Sequence, residues 1–382
     1  MNIEKLMDTI DSESLLVRTD SLDISFGEIS SMFEGKELEI RPSYQRLFRW
    51  TSSQQSLFIE SLLLGLPIPP IFVIETESRK YELIDGLQRI SSFLHFMGTL
   101  SSEKYKNGTK LKLSNCEIIE QLNGLTFDEL SPALRFKLKR SYVKMYVIKK
   151  ESPKRIKYDM FKRLNTGGSL LEAQEIRNST IRFLSENFID FIQNLAKEES
   201  FVNCISYVQE NNLNKQYADE LVLRFFTIKN GKLESYKQKS DGDSLADFLT
   251  KYAEDVALNL IDFNYENEKQ CFINVFETLS KTLGGDAFST LTKKGYFDEQ
   301  FHAFHYEAIT MGLVKYWQKL KPEDSVLNGK IKEAILKLKH DPHFNDATEN
   351  KLHKRTSGSQ YLKYLRQRIL IAERSFETVW KK

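Results

Sequence analysis

The segment Tyr81-Glu-Leu-Ile-Asp-Gly-Leu-Gln-Arg89 constrains the fold more than any other stretch of the chain. It predicts a β-strand that runs into an Asp-Gly turn and then directly into a helix, because Ile90, Phe93, Leu94 and Met97 follow at helical spacing. The first turn of a helix has N–H groups without intrahelical partners and carries a partial positive charge. An acid, an amide and a guanidinium around such a turn predict a phosphate or anion site.

The composition gives the chain room for two or three soluble domains, since 41% of its 382 residues are hydrophobic. The formal net charge of +2 indicates no global attraction to nucleic acid or membrane, so polyanion binding would need a local patch. Cys116, Cys204 and Cys271 lie far apart, which argues against a zinc cluster or disulfide framework and favours a reducing compartment. The first twenty residues lack the uninterrupted apolar core of a signal peptide, and no apolar run is long enough to span a membrane, so we expect neither feature. We expect a cytoplasmic protein without a membrane partner.

Hydrophobic periodicity predicts an α+β architecture, with a mixed domain over residues 1–177 and an all-helical domain over 178–382. In the first domain, apolar runs at 71–74 and 81–84 flank a polar turn and predict a hairpin. Further strands are expected at 38–40, 116–119 and 142–148, and helices at 26–33, 132–140, 153–164 and in the stretch that ends at Leu64 before Gly65.

In the second domain, amphipathic helices are expected at 180–198, 216–228, 244–258, 266–283, 298–320, 327–338 and 360–380. Residues 229–243 and 342–358 are predicted to be polar connectors.

Two further motifs change the interpretation of Asp85-Gly86, which taken alone is typical of an ordinary turn. Tyr44-Gln45-Arg46 follows Pro42, which favours an extended segment or loop. Asn165-Thr166-Gly167-Gly168 forms a second junction between a loop and a helix. A guanidinium can form two parallel hydrogen bonds with a phosphate, so Arg46 and Arg89 are the expected charge partners. Asp85 would hold Mg²⁺, orient water or fix an arginine by ion pairing.

These motifs occur in a fixed order: RPSYQRLFRW, FIESLLLGLPIPPIFVIE, YELIDGLQRISSF and MFKRLNTGGSLLEAQEIRNS. In that order they resemble the N-terminal domain family of GmrSD-type modification-dependent restriction endonucleases, which shares its core with ParB and sulfiredoxin. The resemblance covers about residues 20–230 and includes the helical segment 219–226. Two positions depart from the family pattern. Leu87 replaces the first glutamine of the D-G-Q-Q-R motif, and Lys215 stands where many relatives carry arginine.

The resemblance implies a ParB/sulfiredoxin-like domain with a small mixed sheet that binds a nucleoside triphosphate, accompanied by Mg²⁺, and in relatives hydrolyses it. Carried over to this chain, the catalytic residues would be Asp85, Gln88 and Arg89. The residues expected to bind the nucleotide or its phosphates are Tyr44, Gln45, Arg46, Gly86, Arg89, Asn165 and Thr166. Because Leu87 removes one polar group from the helix start, the sequence favours binding over hydrolysis.

Relatives often regulate an attached HNH nuclease, but this sequence lacks the two histidines and asparagine in the hairpin setting that such a site requires. His340-Asp-Pro-His343-Phe-Asn345 is the nearest candidate, and Pro342 favours a surface loop there over a metal site. His95 is interpreted as structural, and His302 with His305 as part of a packed helix face. No metal site is predicted.

Two functions remain open. The first is a nucleotide-responsive component of a prokaryotic restriction or anti-phage system that works with a separate nuclease subunit. The second is a non-enzymatic DNA-binding adaptor that senses modified DNA or recruits a nuclease, since basic residues alternate with aromatic ones over residues 136–158. A solvated face explains that basic run equally well. An autonomous nuclease is disfavoured, and a homodimer is among the expected assemblies.

Overall fold

The computed structural model describes residues 3–40, 48–100, 105, 108–165, 173–209, 216–231, 245–292, 294–349 and 358–381. The chain divides into two units, Met1–Leu171 and Glu172–Lys382. The predicted boundary between residues 177 and 178 lies a few residues further along. Within the described residues, no helix has an apolar stretch long enough to cross a lipid bilayer.

Unit 1 is mixed α/β and contains a five-stranded mixed sheet in the order β1-β5-β3-β4-β2. Strands β3 and β4 form the predicted antiparallel hairpin, β5 lies parallel to β3, and β1 lies antiparallel to β5. The short β2 pairs in parallel with β4. The strands are β1 (Thr19–Ser25), β2 (Leu38–Glu39), β3 (Ile71–Glu75), β4 (Tyr81–Asp85) and β5 (Tyr142–Ile148).

The helices of unit 1 are α1 (Ile3–Ser14), α2 (Phe26–Glu34), α3 (Ser52–Leu64), α4 (Leu87–Met97), α5 (Pro132–Arg140) and α6 (Lys154–Asn165). Local signals set the bounds of α3, because Thr51 and Gln54 form a capping box and Gly65 ends the helix in the left-handed conformation. Helices α2 and α4 pack together, with the rings of Phe26 and Phe93 centred 5.0 Å apart. Phe26 and Phe93 are both fully buried, so this contact fixes α4 against α2.

Two sequence predictions for unit 1 need correction. Strand β1 was not predicted, because its sequence TDSLDIS is mostly polar and its side chains are mostly exposed at the edge of the sheet. Residues 116–119 were predicted to be a strand, but they form none. Their amides bind a side chain instead, since the buried Glu60 carboxylate accepts the N–H groups of Glu117, Ile118 and Ile119 at 3.2, 2.9 and 2.6 Å.

Unit 2 is helical over its described residues, apart from one isolated bridge between Leu291 and Phe297. Aromatic side chains form much of its core: the rings of Phe225, Phe272 and Phe276 are centred 4.3 to 5.8 Å from one another. Its helices are α7 (Ala173–Leu184), α8 (Glu186–Leu195), α9 (Glu199–Cys204), α10 (Tyr217–Asn230), α11 (Leu245–Ala257), α12 (Tyr265–Thr282), α13 (Ala303–Val314), α14 (Ser325–His340), α15 (Pro342–Glu349) and α16 (Gly358–Trp380).

Three predicted elements of unit 2 have different bounds. The single helix expected over 180–198 is split at Ser185, whose hydroxyl accepts the Phe188 N–H at 3.3 Å and caps α8. The helix expected over 298–320 begins only at Ala303 and ends at Val314. The expected connector after residue 341 contains helix α15, because Asp341 accepts backbone N–H groups at its start and proline is tolerated in the first turn.

Candidate functional site

The junction between β4 and α4 has the strand–turn–helix form predicted from the sequence. Asp85 is the last residue of β4, and Gly86 precedes α4 with φ = 101° and ψ = 11°. A Cβ atom at Gly86 would lie 2.5 Å from Cγ2 of Ile71 on the neighbouring strand. Glycine is therefore required here twice, once for its positive φ and once for the close approach of β3.

Arg89 is held in place on the first turn of α4. Its guanidinium donates to the Asp85 carboxylate at 3.1 Å and to the Pro69 carbonyl at 2.7 Å. The Asp85 and Arg89 side chains are 32% and 13% exposed, so the pair is half-buried at the surface of unit 1. The sequence allowed Asp85 to hold Mg²⁺, to orient water or to fix an arginine. In the structure Asp85 fixes Arg89. A guanidinium has five N–H donors, and these two bonds use two of them.

Gln88 binds the backbone of residues 49–50, which lie beside the junction. Its side-chain oxygen accepts the backbone N–H groups of Arg49 and Trp50 at 3.0 and 3.1 Å. On the other side of this segment, the Gln55 amide donates to the Trp50 carbonyl at 2.8 Å. The Gln55 side-chain oxygen in turn lies 2.8 Å from Nδ1 of the buried His95. These contacts give His95 the structural role expected from the sequence, and they give Gln88 a positioning role that the sequence did not reveal.

Leu87, at the position where the resemblance leads us to expect glutamine, is 4% exposed. Its side chain therefore belongs to the core and not to the surface of the junction. No side chain caps the N-terminus of α4 among the residues that the structure describes. The backbone N–H groups at the start of α4 and the remaining donors of Arg89 thus form the anion-attracting part of this junction.

Most of the other residues predicted to bind the nucleotide lie outside the residues that the structure describes. Tyr44, Gln45, Arg46 and Thr166 lie outside the described residues. The backbone of Asn165 ends α6, but its side chain is also outside the description. The phosphate site expected from the three motifs together therefore stays a prediction.

Residues 340–343, at the end of α14, form hydrogen bonds with nearby residues of the chain. His340 donates from Nδ1 to the Leu336 carbonyl at 2.9 Å, and Asp341 accepts the backbone N–H of His343 at 2.8 Å. A cavity of about 580 Å³ adjoins His340, and its lining includes Thr282, Asp286 and Lys332. Across the described ranges, no group of three metal-ligating side chains could hold an ion.

Helix α5 and the start of β5 present basic and aromatic side chains to solvent. Phe136 and Tyr142 are 59% and 69% exposed, and Lys137 and Arg140 are exposed beside them. The Arg140 guanidinium lies 5.9 Å from the centre of the Phe136 ring. We call Phe136, Lys137, Arg140 and Tyr142 the α5 patch. It is one exposed part of the basic run noted in the sequence.

The segment 219–226 contributes to a buried ion network in unit 2. Arg224 donates to Glu307 at 2.9 Å and to Glu220 at 2.8 Å, and Arg368 donates to the other Glu307 oxygen at 3.1 Å. Burial lowers the pKa of Arg224, but Tyr361, Glu307, Tyr217 and Glu220 together raise it by more, so its pKa is raised overall. This network joins α10, α13 and α16. Its sequence signal was the lone acid Glu307 within the apolar helix AFHYEAITMGLV.

Residues 29–182 match the family model described as GmrSD restriction endonuclease, N-terminal domain. The match begins within α2 and ends within α7, so it includes the whole β4–α4 junction. It confirms, over those residues, the resemblance inferred from the motifs. No curated protein and no solved structure gives a significant match to the chain.

Proposed function

We propose that unit 1 binds a nucleoside triphosphate through its phosphates at the β4–α4 junction, as a component of a prokaryotic restriction or anti-phage system. One observation carries the proposal: Asp85 fixes the Arg89 guanidinium beside the start of α4, inside the segment that matches the restriction family. The ParB/sulfiredoxin-like core implied by the motifs belongs to the same proposal. The activity of a separate nuclease subunit would then depend on whether unit 1 has bound the nucleotide.

The proposed division of labour follows from the contacts. Arg89 binds phosphate oxygens with the donors that Asp85 and Pro69 leave available, and the N–H groups at the start of α4 add their dipole. Asp85 positions Arg89 and offsets its charge. Gln88 fixes the backbone of Arg49 and Trp50 beside the junction. Tyr44, Gln45 and Arg46 are proposed to complete the phosphate site. Mg²⁺ would accompany the triphosphate and offset its charge.

Isothermal titration calorimetry with ATP, GTP, CTP and UTP in the presence of Mg²⁺ tests this proposal. We expect at least one triphosphate to bind and Arg89→Ala to weaken that binding by about 10- to 100-fold, the loss typical of a charge-assisted contact. Arg79→Ala is the matched control, because Arg79 lies in the turn between β3 and β4 with a 76% exposed side chain. Absence of binding to every triphosphate would contradict the proposal, as would equal losses in the two variants. Phosphate release by the same samples measures hydrolysis.

A DNA-binding adaptor is the second candidate, and the exposure of the α5 patch is the observation that favours it. Cations beside exposed aromatic rings suit a nucleic acid backbone and its bases. Binding to plain and modified duplexes should then fall with salt and should be weakened by Lys137→Ala and Arg140→Ala. Lys112→Ala, at an exposed lysine outside the patch, is the control. Unchanged DNA binding in the patch variants would exclude this surface.

A further inference from the structure

Helix α1 exposes an apolar stripe that the described residues of its own chain leave uncovered. Ile3, Leu6, Met7 and Ile10 follow the i, i+3, i+4, i+7 spacing of one helix face, and they are 71%, 41%, 53% and 51% exposed. Stripes of this kind are normally buried against another element.

Acidic side chains flank this stripe. Asp11 and Glu13 are exposed and project on either side of it, at 100° per residue around the helix. They lie in the last turn of α1, where a negative charge opposes the helix dipole. Their position therefore does not serve the stability of α1 itself. It suits a partner surface that is both basic and apolar.

The α5 patch has that chemistry. It combines the exposed rings of Phe136 and Tyr142 with the charges of Lys137 and Arg140. We propose that α1 of one copy docks on the α5 patch of a second copy, with the apolar stripe on the aromatic rings and Asp11 and Glu13 beside the cations. The exchange is reciprocal, so two equal contacts close a two-fold dimer.

In one copy, α1 and the α5 patch are attached at opposite ends of β1. Helix α1 joins β1 at Thr19, which pairs with Ile148, whereas α5 leads to Tyr142, which pairs with Ser25 at the other end of β1. The two ends are about 20 Å apart at roughly 3.3 Å per residue. Within one copy, the apolar stripe of α1 and the rings of Phe136 and Tyr142 are all exposed, so the two surfaces do not cover each other.

A charge-swap experiment on the full chain tests the dimer. Variant A carries Asp11→Lys and Glu13→Lys, and variant B carries Lys137→Glu and Arg140→Glu. Each variant alone opposes like charges at both contacts. A mixture of A with B restores opposite charges at both contacts, one in the native arrangement and one reversed.

By sedimentation velocity at low salt, we expect the wild type to dimerise and A and B each to associate at least about tenfold more weakly. The equimolar mixture should form a dimer again. Met7→Ser with Ile10→Ser should weaken the wild-type dimer without charge change, and these exposed positions leave the fold intact. Lysine in the last turn of α1 complements the helix dipole, so variant A keeps the helix.

Glu77→Lys and Lys112→Glu are controls at exposed sites outside both surfaces, and they should leave the dimer unchanged. A wild type that stays monomeric, or a mixture of A and B that does not associate, would overturn the proposal. It would also be overturned if variant B lost DNA binding while no variant changed the association state, because the patch would then be a nucleic-acid surface. Failure of nucleotide binding does not bear on this dimer.

Discussion

Replacing Gly86 with alanine should destabilise unit 1 by about 2–5 kcal/mol. The backbone there has φ = 101° and ψ = 11°, a conformation that costs a residue with a Cβ atom about 1–2 kcal/mol. The added Cβ would also meet Cγ2 of Ile71 at 2.5 Å and Cβ of Ile71 at 3.1 Å. Both atoms belong to a fully buried residue on β3, so they move only with the sheet, and such overpacking costs about 1–3 kcal/mol.

Gly65→Ala separates these two costs. Gly65 also has a positive φ, of 73°, but a Cβ atom there would have nothing within 4 Å. It should therefore carry the backbone cost alone, about 1–2 kcal/mol. Urea unfolding of the two variants, followed by circular dichroism, measures the difference in the free energy of unfolding. If Gly86→Ala is no more destabilising than Gly65→Ala, the reasoning that Ile71 on β3 leaves no room for a Cβ atom at Gly86 is refuted.

Two further predictions concern buried ionisable groups. Glu60→Ala should lower the free energy of unfolding by about 3 kcal/mol or more, because three backbone N–H groups lose their acceptor. Glu60→Gln should cost less, and a loss below about 1 kcal/mol for alanine would contradict the contact. Burial lowers the pKa of Lys339 from 10.5 to about 7, against the raising effect of Asp286 and Asp298. Between those values the unfolded state binds the extra proton, so wild-type stability should rise with pH from about 7 to 10.5. The melting temperatures of wild type and Lys339→Met over that range should differ in slope, and parallel curves would refute the assignment.

Local signals were sufficient for the elements that form the junction. The hairpin of β3 and β4, the start of α4 at the Asp-Gly turn and the caps of α3 all follow from residues within a few positions of one another. The pairing of Asp85 with Arg89 is likewise a contact at i, i+4. These features could be predicted because their physical causes are contained in a short window of sequence.

Contacts between distant residues account for the errors. The apolar run 116–119 suits a strand, but its amides are bound by Glu60, more than fifty positions earlier. Strand β1 has little hydrophobic alternation because it lies at the sheet edge and pairs with β5. The contact of Gln88 with the backbone of Arg49 and Trp50 also joins distant segments, so its positioning role was not visible in the motif.

Hydrogen–deuterium exchange on the full chain, with and without each triphosphate and Mg²⁺, tests phosphate binding at this junction most directly. A phosphate bound at the start of α4 would accept N–H groups of its first turn, so it should slow exchange at Leu87 and Arg89. The turn between β3 and β4, which contains Arg79, should be unchanged and serves as the internal reference. Protection confined to the start of α4, and lost in Arg89→Ala, is the predicted result. Nucleotide-dependent protection elsewhere with no change at α4 would contradict the proposed site.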